Sequence, residues 1–222
     1  MKKDEVPLPT VMPLDRKEWR EQLSRSNFVN TYAQYMDVRR CGDVKTILIV
    51  GPGQGLDTAV LRWRGYEVTT FDIDETFEPD VIGSVHDLSA FGDAQFDVVI
   101  ASHVIEHVAV PYLDSAISEL ARVARHALIY LPVYGRKIQF RFLPGFRDLD
   151  FSFIFDAFNY FHKPDGLRAR YNAGQHFWEV GMRGFRVKDI LRRFAPHFEV
   201  LRRYRNPDWP LSYNFVLRSR RD

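Results

Sequence analysis

Apolar residues in this chain follow two patterns: short uninterrupted runs, and longer stretches in which they recur every three or four positions. The runs predict buried strands, and they occupy residues 46–50, 66–72, 96–101 and 127–133, with a weaker one at 81–84. Helical spacing lies between them, at residues 56–65 and 112–125. This alternation predicts an α/β protein with a Rossmann-like, mostly parallel sheet and helices on both faces.

The C-terminal part of the chain predicts a different pairing. A helical stretch at 187–194 precedes two strand-like runs, 197–204 and 212–219, which are joined by a turn that contains Asn206-Pro207-Asp208. A connection this short suits antiparallel strands. We therefore expect the sheet to end in an antiparallel pair.

Residues 134–184 interrupt the alternation with a segment that is dense in aromatic side chains and broken by proline and glycine. Long insertions beside the ligand edge of a sheet are often lids or acceptor pockets. A small satellite core or a homodimer contact is the alternative for the phenylalanine-rich part. The polar end of the insertion, residues 171–176, has the composition of a binding site.

The N-terminal segment predicts an extended lead and then a helix. Three prolines interrupt residues 1–14, whereas from residue 15 to about residue 40 the apolar residues have helical spacing. We expect this helix to pack on the sheet; lying over the cofactor edge is the alternative. Residues 15–222 then form one domain, as their number allows.

Composition excludes several classes of function. A formal net charge of +2 is too small to indicate a nucleic-acid partner, and the single cysteine, Cys41, cannot form an intrachain disulfide. No stretch has the length and apolar character of a membrane span or a secretion signal. We expect a cytoplasmic protein without a membrane partner.

Candidate chemistry begins where the first strand meets Gly51, Gly53 and Gly55. Glycine accepts positive φ and lets a ligand approach bare backbone, and a strand–turn–helix places that ligand at a helix N-terminus. Asp72 ends the next strand at about the ~20-residue separation expected of an acid that binds ribose hydroxyls. The alternatives are a plain tight turn and a turn-capping aspartate.

These residues, together with His86-Asp87-Leu88 and the run from Phe96 through Ser102-His103-Val104-Ile105-Glu106-His107-Val108, resemble the class I S-adenosylmethionine-dependent methyltransferases. The similarity is to small bacterial members with an S-H-V-x-E-H-V signature, and it covers roughly residues 46–133. It implies a seven-stranded sheet whose last strand is antiparallel. It also implies S-adenosylmethionine as the cofactor.

The resemblance assigns the cofactor contacts residue by residue. The three glycines would pass under the methionine part and the ribose, and Asp72 would bind the ribose hydroxyls. Asp87, with Leu88 beside it, would meet the adenine, and the backbone of Ser102 and His103 would flank the methionine end. Ile49 departs from the family pattern, which has an acid there. The anchor of the cofactor's ammonium group is therefore open.

Transfer to a hydroxyl also requires removal of a proton, for which histidine is suited near neutral pH. The candidate bases are His107, His103 and His176, in that order, each with a structural role as its alternative. One helical turn would place His103 and His107 on the same face. No metal ion is predicted.

The predicted function is methylation of a small organic acceptor, most simply at oxygen in a sugar, a polyketide or a phenol. Alternatives are an RNA or protein methyltransferase and a non-catalytic methyltransferase-like module. A dehydrogenase would have glycine where Leu56 stands. A zinc peptidase would use His103, Glu106 and His107 as H-x-x-E-H, but that motif needs a long helix and Pro111 stops this one.

Overall fold

A computed structural model describes residues 23–142, 151–157 and 176–220 of the chain. A seven-stranded sheet has the order β3-β2-β1-β4-β5-β9-β8. Its strands are β1 (Thr46–Val50), β2 (Glu67–Asp72), β3 (Val81–Ile82), β4 (Phe96–Ser102), β5 (Ala124–Pro132), β8 (Phe198–Arg205) and β9 (Ser212–Ser219). The helices are α1 (Arg25–Arg40), α2 (Leu56–Trp63), α3 (Val110–Val123) and α4 (Val187–Phe194). The predicted Rossmann-like α/β fold is confirmed.

The central strands are apolar along their length because both of their faces are covered. On β1, Leu48 and Val50 belong to the core layer that contains α3 and α4. Ile47 and Ile49 face the opposite layer, which contains Leu61 of α2. Alternate side chains of a strand point to opposite faces, so two helical layers bury the whole strand.

Strand β9 runs antiparallel to both of its neighbours, β5 and β8. The turn before β9 is held by Asn206, whose side-chain oxygen accepts hydrogen bonds from the N–H groups of Asp208 and Trp209. The other neighbouring strands pair in parallel. The predicted antiparallel end of the sheet is therefore confirmed.

Two predicted boundaries around α3 were wrong for local reasons. The helix begins at Val110, earlier than predicted, because Pro111 lies in its first turn, where proline is favoured. It ends at Val123, and β5 starts at once with Ala124. Arg125, predicted to close the helix, instead pairs from β5 with the carboxylate of Asp97 on β4.

The aromatic insertion contributes a second, two-stranded sheet that the sequence did not predict. Strands β6 (Arg136–Phe142) and β7 (Phe151–Ala157) form an antiparallel hairpin. Residues 171–175 of the predicted polar site lie outside the described residues. The predicted extended lead and the first part of the predicted N-terminal helix, residues 15–22, lie outside them too.

Helix α1 starts after Ser24, whose N–H donates to the side-chain oxygen of Asn27. Its last turn carries Asp37, which is 0 % exposed and accepts hydrogen bonds from the hydroxyl groups of Tyr130 and Tyr204. These buried bonds hold α1 against β5 and β8. Among the described residues, no helix combines the length and apolar character needed to cross a membrane.

Candidate active site

A cleft of about 380 Å³ opens at the carboxyl ends of β1, β2 and β4. Ligands bind at this edge in open α/β sheets, and the volume is that of a small-molecule site. Its wall combines the glycine turn, the ends of β2 and β4, the polar face of α1 and the indole of Trp209. Residues that line the cleft include Asn30, Gln34, Gly51, Gly53, Gly55, Asp57, Asp72, Ser102, His103, His107 and Trp209.

The glycine turn requires glycine on conformational grounds. Gly51, Gly53 and Gly55 have φ values of 70°, 51° and 75°, in the left-handed region that side chains disfavour. A Cβ added to Gly51 would lie 2.5 Å from a methyl carbon of Val104. Gly55 is the residue immediately before α2, so the glycine turn leads from the end of β1 to the N-terminus of that helix.

Asp72 lies in the cleft wall at the end of β2. Its Oδ1 accepts a hydrogen bond from the Asp74 N–H, which orients the carboxylate. Ile49, which stands where the family pattern has an acid, is 1 % exposed and packs in the apolar layer around Leu61. An anchor for a ligand ammonium group must therefore come from another element.

Asp57, in the first turn of α2, is an acid that the sequence analysis did not assign to the site. Burial raises its pKa to about 6, although hydrogen bonds from Thr58 and from the Gln34 side chain oppose that shift. Across the cleft wall, the side-chain oxygens of Asn30 and Gln34 are buried without a hydrogen-bond partner among the described residues. A carboxylate and two unsatisfied acceptors together suit a cationic donor group.

Asp87 and Leu88, to which the resemblance assigned the adenine, are not among the residues that line the cleft. The Asp87 carboxylate caps its own turn by accepting from the Ser89 N–H. Leu88 is 0 % exposed, and its N–H and C=O are bonded to Glu119 and Arg122. The chain instead presents Ser84 and Val85 to the cleft at this point.

Ser102 and His103, whose backbone the resemblance assigned to the methionine end, both lie in the cleft wall. Asn30 donates to the Ser102 hydroxyl at 2.7 Å. His103 has a φ of 57°, and its ring lies 4.8 Å from that of Trp209. Burial, followed by the nearby His176 and His107, lowers the pKa of His103 to about 3, which keeps the imidazole neutral.

His107 also lines the cleft, but the expected helical turn does not form. Residues Ile105–His107 make a 3-10 turn, and the left-handed backbone at His103 breaks the spacing before it. His103 and His107 therefore do not share a helix face. Their side chains are related instead through Glu106, whose Oε1 lies 3.6 Å from His103 Nδ1 and 4.0 Å from His107 Nε2.

Glu106 was not among the candidate bases in the sequence, yet it lies at the centre of this group. Its side chain is 0 % exposed, and neither carboxylate oxygen has a hydrogen-bond partner among the described residues. Burial raises the pKa of Glu106 to about 8. A buried acid without partners is unusual and marks a functional site.

His176 comes to the same place from the end of the insertion. Its ring lies 4.8 Å from the ring of His107, and its Nδ1 is 2.7 Å from a carboxylate oxygen of Glu179. The neighbouring Phe177 N–H donates to the backbone oxygen of Glu106 at 2.9 Å, which joins the two segments. The structure therefore brings all three predicted histidines together around Glu106.

Sequence reasoning missed three features of the cleft wall. Helix α1 does pack on β5, as expected, but its polar residues also line the cleft. Trp209 arrives from the β8–β9 turn, and Asp57 lies directly after the glycines. Two features of the sequence could have indicated these contacts: the polar residues on one face of α1, and a tryptophan directly after the Asn-Pro-Asp turn.

Part of the chain matches a known protein family. Residues 48–127, which run from the first strand to β5, match the protein family described as "Methyltransferase domain". No curated protein matches the chain by sequence.

Solved structures share the fold at low sequence identity. The N-methyltransferase NodS from Bradyrhizobium japonicum WM9, in complex with S-adenosyl-L-homocysteine, is 10 % identical, with a TM-score of 0.56 over 93 % of this chain and 97 % of NodS. The 1,6-didemethyltoxoflavin-N1-methyltransferase from Burkholderia thailandensis is 18 % identical, with a TM-score of 0.54 over 96 % of this chain and 94 % of its own. The PH0226 protein from Pyrococcus horikoshii OT3 is 15 % identical, with a TM-score of 0.55 over 90 % of this chain and 93 % of its own.

Proposed function

We propose that this protein is an S-adenosylmethionine-dependent methyltransferase that transfers the methyl group to a hydroxyl of a small organic acceptor. The observation that carries the proposal is the polar group beside the cleft, with His103 and His107 in its wall and buried Glu106 behind them. Methylation of an amine that is already neutral needs no proton acceptor before transfer, whereas a hydroxyl must lose its proton. The indole of Trp209 would provide an apolar surface for the acceptor.

The chain's own residues have a limited task in this reaction. When bound, S-adenosylmethionine supplies an electrophilic methyl group. Catalysis then requires that the acceptor oxygen be held in line at about 3 Å and that its proton be taken up. In this proposal the cleft wall orients the acceptor, and the Glu106–His107–His176 group promotes loss of the proton.

A panel of acceptors tests the proposal directly. Sugars, phenols and hydroxylated polyketide-like compounds should yield methyl ethers detectable by mass spectrometry, whereas their amine counterparts should react more slowly. Faster methylation of the amines would overturn O-methylation and leave the cofactor assignment intact.

Within the cofactor site, we assign the ribose hydroxyls to Asp72. Asp72→Ala should weaken binding of S-adenosylhomocysteine by ~1.5–3 kcal/mol, the usual contribution of hydrogen bonds to a charged group. Calorimetry checks this, with the exposed Asp43→Ala as a control. Methylthioadenosine has the same ribose without the amino-acid part, so its affinity should fall equally. Undiminished binding of both ligands would remove Asp72 from the site.

We assign the ammonium group to Asp57, which takes the place of the acid missing at Ile49. Asp57→Asn should weaken S-adenosylhomocysteine roughly 10–100-fold, because a charge-assisted hydrogen bond is lost. Methylthioadenosine, which has no ammonium group, should bind the variant as well as it binds the wild type. An equal loss for both ligands would mean that Asp57 acts on the turn and not on the amine.

The pKa of Asp57, about 6, adds a pH dependence. Only the ionised carboxylate attracts an ammonium group, so affinity for S-adenosylhomocysteine should be full above that pKa and fall as the pH drops through it. Calorimetry from pH 5 to pH 8 should show this fall in the wild type and a flatter profile in Asp57→Asn. Matching profiles would assign the pH dependence to another group.

A further inference from the structure

We infer that Glu106, His107 and His176 form a binding site for a divalent first-row transition-metal ion at the acceptor end of the cleft. The potential ligand atoms of these three side chains all lie within 4.8 Å of one another. Ligand atoms bonded to one ion at about 2.1 Å can lie at most about 4.2 Å apart. A small inward movement of the side chains therefore completes the site.

The first independent support is the state of Glu106. Its carboxylate is fully buried, and both of its oxygens are without a hydrogen-bond partner among the described residues. Buried carboxyl groups that are ionised are paired, hydrogen-bonded or bound to a metal, and those without a partner keep their proton, as the raised pKa of Glu106 indicates. A metal ion at this place would replace that proton. The Oε1 of Glu106 lies 4.0 Å from His107 Nε2, a separation that a shared metal ion could bridge.

The second support is the orientation of His176. Its Nδ1 is occupied by the hydrogen bond to Glu179, which leaves Nε2 as the nitrogen with a lone pair. A carboxylate that holds the far nitrogen of a metal-binding histidine is the usual second layer of such sites. Glu179 is therefore the residue that would keep His176 in its ligating tautomer.

His103 adds a third sign that a positive charge belongs between these groups. The Ser212 hydroxyl donates to Asn214, so the contact of 3.3 Å between His103 Nε2 and Ser212 Oγ has the histidine as donor. The Nδ1 of His103 is then an acceptor, and it faces an acceptor oxygen of Glu106 at 3.6 Å. A positive charge between these two acceptors stabilises them, and a metal ion would take the place of the proton that Glu106 keeps through its raised pKa.

The ligand chemistry selects the class of ion. Two imidazoles and one carboxylate favour Zn²⁺, Mn²⁺ and similar ions over Ca²⁺, which takes oxygen ligands, and over soft ions that need thiolates. Three protein ligands leave at least one open position, which is the arrangement of catalytic sites. The site differs from that of an H-x-x-E-H peptidase, because residues 105–107 form only a 3-10 turn.

The role of the ion rests on the proposed function. An acceptor hydroxyl that occupies the open position would have its pKa lowered and lose its proton to solvent, while the oxygen keeps the electron pair that forms the new bond to the methyl carbon. The bond between sulfur and the methyl carbon breaks at the same time, and its electron pair stays on sulfur, so that S-adenosylhomocysteine leaves. His107 then acts as a ligand instead of a base. The acceptors best suited to this site carry a hydroxyl beside a second oxygen, as catechols and sugar diols do.

Metal binding can be measured without any acceptor. The full-length protein is stripped with a chelator and titrated with Co²⁺, whose visible absorption reports coordination, and with Zn²⁺ by competition. We expect one ion per chain. Glu106→Gln and His176→Ala should each weaken it more than 100-fold, and Glu179→Gln should weaken it 10–100-fold as a second-layer change.

His197→Ala is the matched control, because this histidine directly precedes β8, at the edge of the sheet opposite the cleft, and should bind metal as the wild type does. Retained binding of S-adenosylhomocysteine shows that each variant has folded. Absence of stoichiometric binding to the wild type would overturn the inference. The inference would also be overturned if Glu106→Gln and His176→Ala bound the ion as tightly as the wild type does.

Activity separates this inference from the proposed function. If the stripped protein methylates hydroxyl acceptors at full rate in excess chelator, the metal inference fails and O-methylation stands. If one ion binds at these residues but only amines are methylated, O-methylation fails and the metal site stands.

Discussion

Gly53→Val is expected to abolish binding of S-adenosylhomocysteine while the protein remains folded. Gly53 lies in the cleft wall between the strand end and α2, and its φ of 51° leaves its Cα facing the ligand side of the turn without a side chain. A valine there would add a branched Cβ to a left-handed backbone. The result is a steric block at the point where the cofactor must touch backbone.

Gly65→Val provides the matched control for this change. Gly65 also has a positive φ, of 89°, but it ends the turn after α2, and a Cβ there has no neighbour within 4 Å. Both variants should lose about 1–2 kcal/mol of stability through backbone strain. Only Gly53→Val should lose the ligand in calorimetry. Binding retained by Gly53→Val would remove the glycine turn from the cofactor site.

The parts of this site that the sequence could predict are those set by local chain geometry. Gly51, Gly53 and Gly55 follow an apolar strand, and Asp72 ends the next one, so both reach the same edge of a parallel sheet. Asp57 was overlooked because a carboxylate in a first helical turn already has an explanation as a partner for the helix dipole. Its second role depends on Gln34, which lies on another helix.

The acceptor end was harder to predict, because it depends on contacts between distant segments and on an unusual backbone. The three histidines were recognised as candidates, but the expected helical turn would have directed Glu106 away from them. The left-handed backbone at His103 and the 3-10 turn after it instead place the Glu106 carboxylate among the imidazoles. His176 is 69 positions beyond His107 in the numbering, and no local pattern connects them.

The largest expected effect on turnover is that of His107→Ala. This side chain lies in the cleft wall and contacts both Glu106 and His176, so its removal should disable the group that we propose promotes loss of the acceptor proton. We expect kcat to fall ~10²–10⁴-fold, the range associated with proton-transfer catalysis. Affinity for S-adenosylhomocysteine should stay within about twofold of the wild type, because the cofactor contacts assigned to Gly53, Asp57 and Asp72 remain.

Single-turnover kinetics with a hydroxyl acceptor measures this loss, with His197→Ala as the control for removal of an imidazole away from the cleft. If His107 is a metal ligand, His107→Ala must lose the bound ion as well as its rate. If His107 is a base that binds no metal, only the rate should fall. A fall in rate with the ion still bound at full affinity would make His107 a base and move the ion elsewhere. A rate equal to the wild type would mean that positioning alone activates the acceptor, because the Glu106–His107–His176 group would then have no part in removing its proton.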